Sequence, residues 1–141
     1  MFRKLSDKVL AAPQIQPADI AEAKTEGVTL IINNRPDDEE DTQPSGDAIA
    51  KAASDAGIDY VAIPVTHAGF SLPQVEKMQA ALEGADGKAL AFCRTGARST
   101  LLWALAETHG GADPDRIEEQ AAAAGYDVSP IRQIMTAFAK Q

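Results

Sequence analysis

The single cysteine of this chain lies in the stretch Ala91–Ser99, which reads AFCRTGARS. An apolar run leads into Cys93, and a helical pattern, STLLWALAE, leads away from it. A thiol between a strand and a helix lies close to the unpaired backbone N–H groups and the positive dipole end of that helix. Both features favour the thiolate, which is the nucleophilic form of cysteine. The stretch therefore predicts a cysteine nucleophile.

The residues after Cys93 are of types that bind a tetrahedral oxyanion. Gly96 allows the loop to curl so that its amides converge on one point, and Arg98 carries a planar fork that grips two oxygens of a phosphate or sulfur oxyanion. The hydroxyl of Ser99 can hydrogen-bond the sulfur and ease its departure as a leaving group. We therefore predict Cys93, Arg98 and Ser99 as catalytic residues. The loop residues predicted to bind substrate are Arg94, Thr95, Gly96 and Ala97.

Two interpretations of Cys93 without turnover stay open. A lone cysteine usually fills a core as a small hydrophobic residue, although a core thiol needs neither two nearby arginines nor a glycine. The loop can also bind an anion or sense oxidants, since an exposed thiolate oxidises readily. There is no second cysteine in the chain, so a resolving thiol has to come from outside, as glutathione does.

The composition limits the classes of partner. At 141 residues, with 45% hydrophobic and 24% charged residues, we expect one soluble domain over residues 1–141. The net charge of −8 argues against a nucleic acid partner, but it is compatible with a small anionic substrate in a locally positive pocket. No apolar run has membrane-spanning length and the N-terminal residues lack signal-peptide features, so we expect a cytoplasmic protein without a membrane partner.

We expect neither a metal nor another cofactor. The two histidines, His67 and His109, lie far apart in the sequence and form no ligand cluster. His109 falls at a predicted helix C-terminus, where it favourably meets the dipole. A structural role is therefore predicted for His109.

Strand and helix patterns alternate along the chain. The predicted strands are 8–14, 28–33, 59–65 and 88–92, and the predicted helices are 16–27, 47–57, 71–87 and 99–109. Strands joined by helical crossovers pair in parallel, so the sequence predicts an α/β fold with a central, mostly parallel sheet flanked by helices. Asp113-Pro114 and Ser129-Pro130 each have the pattern of a helix start, which predicts a helical C-terminal cap.

Three irregular segments are predicted to converge on one rim of this sheet. Ligands of such sheets bind at the carboxyl ends of the strands, and Cys93 lies at one of those ends. The acidic loop 34–46 and the connection 66–70 follow two other strands. Arg35, directly after a strand, is predicted either to bind an anion beside the cysteine loop or to pair with the acids of its own loop.

The motif Cys93–Ser99 resembles the active-site loop shared by cysteine-dependent phosphatases and rhodaneses. Over most of its length the chain resembles the phosphatase-like domain associated with beta-lactamase hydrolase-like proteins. The motifs that carry this resemblance are IINNRPDDEE, IPVT, AFCRTGARS, LLWALA and AAAAGYD. The resemblance implies a fold similar to dual-specificity phosphatases and a phosphatase-like activity.

Two reactions fit these residues. In phosphomonoester hydrolysis, Cys93 attacks phosphorus and water releases the cysteinyl-phosphate. In sulfur transfer, Cys93 carries a sulfane sulfur as a persulfide to a thiol or cyanide. Four residues separate Cys93 from Arg98, as in many rhodaneses, whereas tyrosine-type phosphatases have five and usually place a histidine where Phe92 stands. The whole-chain resemblance favours hydrolysis, with sulfur transfer as the alternative.

A proton donor for the leaving oxygen is the last part of a phosphatase site. Dual-specificity phosphatases carry an aspartate on the loop after the preceding strand, but residues 65–70, VTHAGF, contain no carboxylate. His67 is the titratable residue of this loop, and it is predicted either to act as the acid or to be a solvated surface residue. Asp37 or Asp38 is the alternative donor, although an acidic run is usually solvated.

Overall fold

The computed structural model describes residues 2–140 and confirms the α/β prediction. The strands are β1 Arg3–Lys4, β2 Val9–Ala12, β3 Val28–Asn33, β4 Asp59–Ala62 and β5 Lys88–Phe92. They form one sheet in the order β1-β2-β5-β3-β4. All neighbours are parallel except β1, which pairs antiparallel with β2.

Helices connect the parallel strands and complete the C-terminal cap. They are α1 Ile20–Thr25, α2 Gly46–Asp55, α3 Leu72–Gly84, α4 Ala97–His109, α5 Pro114–Ala123 and α6 Arg132–Ala139. Short 3₁₀ turns, Pro17–Asp19 and Ser129–Ile131, precede α1 and α6. No helix within residues 2–140 has both the length and the apolar character needed to cross a membrane.

The start of α6 differs from the prediction. Ser129 and Pro130 form a 3₁₀ turn, and the α-helix begins only at Arg132. The Ser129 hydroxyl donates to Asp127 Oδ2 at 3.0 Å, and its backbone N–H donates to Asp127 Oδ1 at 2.9 Å. This local turn engages the hydroxyl with Asp127, and it makes no side-chain cap of the helix.

The central strand β5 positions the cysteine. Its apolar residues are buried on both faces of the sheet: Ala91 belongs to one apolar cluster and Phe92 to the other. Phe92 pairs with Ala12 of β2 and with Asn33 of β3. A strand that is buried on both faces and hydrogen-bonded on both edges is held firmly, so the next residue, Cys93, starts from a fixed point.

A capping box begins α3. Ser71 Oγ accepts from the Gln74 backbone N–H, and Gln74 Oε1 accepts from the Ser71 backbone N–H at 2.8 Å. The Gln74 side-chain amide also donates to the Pro64 carbonyl at 2.9 Å. Both ends of the connection 66–70 are therefore tied to the start of α3.

Candidate active site

The sulfur of Cys93 lies at the N-terminus of α4. The backbone N–H of Gly96 donates a hydrogen bond to Cys93 Sγ at 3.1 Å. Gly96 is the residue before α4 and has a φ of +93°, in the left-handed region that favours glycine. The structure thus places a backbone donor and a helix N-terminus on the thiol, and both stabilise a thiolate.

Arg98 joins the three segments that were predicted to converge. Its Nη1 donates to Glu39 Oε2 at 2.8 Å, and its Nη2 donates to Glu39 Oε1 at 2.8 Å. Nη1 also donates to the carbonyl of Val65 at 2.7 Å. Because Glu39 belongs to the acidic loop and Val65 immediately precedes the connection 66–70, the predicted convergence is present.

Two N–H donors of Arg98 are not engaged by Glu39 or Val65, and the guanidinium also interacts with the side chain of Cys93. A guanidinium has five N–H donors, and Glu39 and Val65 take three of those of Arg98. The remaining Nε–H and one Nη2–H lie on the same edge, a parallel pair that matches two oxygens of one oxyanion. The hydrogen bonds that Arg98 donates to Glu39 raise the pKa of Arg98 against a desolvation effect that lowers it, and the interactions with Cys93 raise it further.

Glu39 is a site residue that the sequence did not single out. It is held by Arg98 on one side and by Arg35, whose Nε donates to Glu39 Oε1 at 2.9 Å, on the other. Its side chain is 21% exposed. The hydrogen bond from Arg98 is the largest cause that lowers the pKa of Glu39 from 4.5 to about 2, against a desolvation effect that raises it. Glu39 is therefore engaged by protein groups, whereas Asp37 and Asp38, for which the solvated interpretation was given, are exposed.

Arg35 is buried, and all three of its nitrogens bind protein groups. Besides Glu39, it donates to Gln14 Oε1 at 3.0 Å and to Glu40 Oε1 at 3.1 Å. Of the two alternatives for Arg35, the structure shows pairing with the acids of its own loop. Arg94 reaches the same loop, because its Nε lies 2.9 Å from Glu40 Oε1. Arg94 is exposed at the rim of the site.

The remaining loop residues have local roles. The hydroxyl of Thr95 accepts from the Ala97 backbone N–H at 3.2 Å, which satisfies a donor in the first turn of α4. Ser99 is fully buried, and its Oγ has no hydrogen-bond partner among residues 2–140. The predicted bond from Ser99 to the sulfur is therefore absent. The Gly96 backbone N–H is the donor to Cys93 Sγ.

The candidate proton donors are all exposed. His67 lies in the connection 66–70, two residues beyond the Val65 carbonyl that binds Arg98. Asp37 already has a structural role, since its Oδ1 accepts from the Gly46 backbone N–H at 2.8 Å, at the start of α2. Asp38 has a φ of +64°. His109 lies outside the site: its Nδ1 is 2.6 Å from Gln79 Oε1 and its ring packs edge-on against Phe138.

Tyr126 is a second residue that the sequence analysis did not assign. Its hydroxyl donates to the Thr95 carbonyl at 3.2 Å, across 31 positions of the chain. A Cβ built at Gly96 would fall on the Tyr126 hydroxyl. The C-terminal cap therefore touches the cysteine loop directly.

Cys93 has no exposed surface. The premise of the redox-sensor alternative, an exposed thiolate, is therefore not met in this structure. A cavity of about 970 Å³ lies elsewhere: residues of the β1–β2 turn, α3, α4 and α5 line it, and no residue of the cysteine loop does. The position of the candidate site is therefore given by its residues and not by a cavity. A ligand reaches Cys93 Sγ only after the side chains around the sulfur move.

Comparisons with known proteins show the family to which the chain is similar and its fold. The family model described as the phosphatase-like domain of beta-lactamase hydrolase-like protein matches residues 1–112. The beta-lactamase hydrolase-like protein of Xylella fastidiosa is 36% identical over 103 residues. These are 72% of this chain and 24% of that protein, so the chain spans about a quarter of the length of this relative.

Solved structures show the same fold. The crystal structure of a candidate phosphatase from Neisseria meningitidis is 32% identical, has a TM-score of 0.83 and is covered over 96% of each chain. The structure of PTPMT1 in complex with PI(5)P has a TM-score of 0.75 over 99% of this chain and 94% of its own. At 15% identity, the latter similarity shows the fold alone. The predicted phosphatase-like fold is confirmed.

Proposed function

This chain belongs to the family of phosphatase-like domains of beta-lactamase hydrolase-like proteins, and we propose that it hydrolyses small phosphomonoesters with Cys93 as nucleophile. The observation that carries the proposal is the pairing of two anion-stabilising groups in one loop. The Gly96 N–H donates to Cys93 Sγ, and Arg98, which also interacts with Cys93, has a pair of donors that neither Glu39 nor Val65 engages. Adjacent groups of the loop can therefore stabilise both the thiolate and a bound phosphate.

The reaction takes two steps. The Cys93 thiolate attacks phosphorus, so that an S–P bond forms while the bond from phosphorus to the leaving oxygen breaks, and His67 donates a proton to that oxygen. The same donor pair of Arg98 and the N-terminal amides of α4 hold the phosphoryl oxygens. Water then attacks the cysteinyl-phosphate while His67 takes up one of its protons, the S–P bond breaks, and phosphate and the Cys93 thiolate are released.

Glu39 and Arg35 act through Arg98. Glu39 accepts from both terminal nitrogens of Arg98, and this fixes the plane of the guanidinium. Arg35 in turn holds Glu39 through its Nε. Both are positioning residues, because their contacts fix the direction in which that donor pair of Arg98 points.

We expect Glu39→Gln to lower kcat/KM by about tenfold, because one charge-assisted hydrogen bond to Arg98 is lost and the other is weakened. A second readout is stability against pH. The pKa of Glu39 is lower in the folded protein, at about 2, than its ordinary 4.5. The stabilisation by ionised Glu39 is therefore complete above pH 4.5 and is lost as the pH falls towards 2. Denaturant unfolding of both proteins across this range should show their difference in stability narrowing with acid. A constant difference would contradict the assigned ion pair.

We expect His67→Ala to remove the alkaline limb of the pH–rate profile. The loss should be large for an alkyl phosphate, whose leaving oxygen needs a proton, and small for an aryl phosphate with an acidic phenol. Rates with both substrates across the pH range provide the measurement, and His109→Ala, remote from the site, is the matched control. An unaltered profile for both substrates would transfer the acid role to Asp37 or Asp38.

Sulfur transfer is the second candidate, and one specific feature favours it. The loop places only four residues between Cys93 and Arg98, and residues 65–70 contain no carboxylate to serve as general acid. Persulfide formation has no oxygen leaving group to protonate, and it therefore needs no such acid. In that reaction the Cys93 thiolate attacks the sulfane sulfur of a donor and the S–S bond of the donor breaks, with sulfite as the leaving group when the donor is thiosulfate. An acceptor thiol or cyanide then attacks the outer sulfur of the persulfide, and its S–S bond breaks to restore the Cys93 thiolate.

The two reactions are separated by intact-protein mass spectrometry after incubation with thiosulfate or with an aryl phosphate, together with an assay of released phosphate. The single cysteine makes the assignment of any adduct direct, and Cys93→Ser is the control. Phosphate release that depends on Cys93, without a persulfide, supports the phosphatase. A persulfide without phosphate release overturns the phosphatase in favour of sulfur transfer. If neither signal is observed, an anion-binding domain is the remaining interpretation.

A further inference from the structure

One peptide group connects Tyr126 to the sulfur of Cys93. The Gly96 N–H donates to Cys93 Sγ at 3.1 Å, and the Thr95 carbonyl accepts from the Tyr126 hydroxyl at 3.2 Å. This N–H and this carbonyl are the two ends of the same planar peptide unit. A rotation of that unit breaks both hydrogen bonds at once.

This peptide is free to rotate unless something holds it. Gly96 has a φ of +93°, and glycine populates both signs of φ at little cost. In the rotated state the Thr95 carbonyl oxygen would face the sulfur in place of the N–H, and a carbonyl dipole repels a thiolate. The orientation of one peptide therefore decides whether the loop stabilises the reactive form of Cys93.

Contacts from the C-terminal cap and from β1 near the N-terminus hold the Tyr126 ring. Tyr126 follows α5, and its backbone N–H donates to the Ala121 carbonyl at 2.9 Å. The guanidinium of Arg3, in β1, lies over the ring at 5.7 Å from its centroid, within the range of a cation–π contact. Arg3 Nη1 also donates to the Ala124 carbonyl at 2.9 Å. These contacts hold the phenol in place independently of its hydrogen bond to the cysteine loop.

The phenol is suited to donate its proton to a carbonyl. Burial raises the pKa of Tyr126; Arg3 opposes this effect and the negative charge at Cys93 adds to it. The hydroxyl therefore stays protonated at neutral pH. Hydrogen bonds in series polarise one another, so donation to the Thr95 carbonyl strengthens the Gly96 N–H as a donor to sulfur.

We propose that Tyr126 is a positioning residue that locks the Thr95–Gly96 peptide with its N–H on Cys93 Sγ, and that Arg3 steadies Tyr126 in this role. The inference rests on the proposed function, in which the Cys93 thiolate is the reactive group. Tyr126 lies beyond residues 1–112, the part of the chain that the family match covers. The C-terminal cap then contributes to the active site as well as to the fold.

The test is a titration of the Cys93 thiolate by its ultraviolet absorbance, which requires no reagent to reach the buried sulfur. Each protein is measured against its own Cys93→Ser counterpart, so that tyrosine ionisation cancels. In Tyr126→Phe the ring and its packing remain and one hydrogen bond is lost. We expect about fivefold less thiolate at any pH below the midpoint, and a matching fall in kcat with little change in KM.

Two further variants complete the test. Tyr60→Phe removes the other tyrosine hydroxyl of the chain, which is bonded to Asn33, and it should leave the thiolate titration unchanged. Arg3→Met keeps the Tyr126 hydroxyl but removes its support, and we expect a smaller shift in the same direction. Arg3→Met also decides the matter if thermal unfolding shows that Tyr126→Phe does not fold.

The outcomes separate the inference from the proposed function. A titration of Tyr126→Phe that matches that of the wild type, in a folded protein, overturns the positioning role. A wild-type protein that neither forms a thiolate near neutral pH nor releases phosphate overturns the proposed function instead. The shift between the wild type and Tyr126→Phe still judges the role of Tyr126 in that case.

Discussion

Replacing Cys93 by serine should abolish phosphate release, with a loss on the order of 10⁴-fold or more, as for other catalytic nucleophiles. A serine hydroxyl at the same position is far harder to deprotonate than a thiol, so the attacking group is lost. The fold should persist, because a serine oxygen can accept the same Gly96 N–H that now binds Sγ. That bond prevents a newly buried hydroxyl from being left without a partner.

The measurement is phosphate release from an aryl phosphate, with thermal unfolding and circular dichroism as the check on folding. The matched control is Thr108→Ser, which likewise places a serine at a buried position. Thr108 lies on α4 but is remote from the loop. It should retain wild-type turnover. Activity in Cys93→Ser equal to that of the wild type would exclude a cysteine nucleophile, whatever else the loop does.

Arg98→Lys should weaken the binding of phosphate or vanadate by about a hundredfold. Lysine keeps the charge, so the variant isolates the geometry of the fork. Two charge-assisted hydrogen bonds to the ligand depend on that geometry, each contributing roughly 1.5–3 kcal/mol. The lysine also cannot bind Glu39 and the Val65 carbonyl together as Arg98 does.

Isothermal titration of vanadate into both proteins measures the effect. Arg132→Lys is the control, since Arg132 pairs with two carboxylates, Asp115 at 2.6 Å and Glu118 at 2.7 Å, away from the cysteine loop. It should leave vanadate affinity unchanged. An affinity of Arg98→Lys equal to that of the wild type would show that the fork of Arg98 does not bind the anion.

The strand, the turn and the helix around Cys93 could be predicted because their signals are local. An apolar run, a glycine and a helical pattern follow one another within a few residues, and the structure has β5, the left-handed Gly96 and α4 in that order. The meeting of the acidic loop and Val65, just before the connection 66–70, at Arg98 followed from topology, because parallel strands bring their carboxyl ends to one rim.

The residues that tune the loop could not be predicted, because their contacts are not local. Glu39 is one of several neighbouring acids, and composition does not tell which one meets Arg98, which is 59 positions away. Tyr126 reaches Thr95 across 31 positions. Ser99 has the residue type and position that the prediction used, but its Oγ makes no hydrogen bond to Cys93 Sγ. The two-residue strand β1 is too short to give a periodic pattern.

Because Cys93 is completely buried, the rate at which its thiol reacts reports how often the site opens. A neutral alkylating reagent can react only when the surroundings part, so its rate counts openings in the way that amide exchange counts local unfolding. Hydrogen peroxide must use the same opening as substrate does. Between turnovers the closed state therefore shields the sulfur from oxidation, and a variant that opens more often should lose activity in peroxide sooner than the wild type.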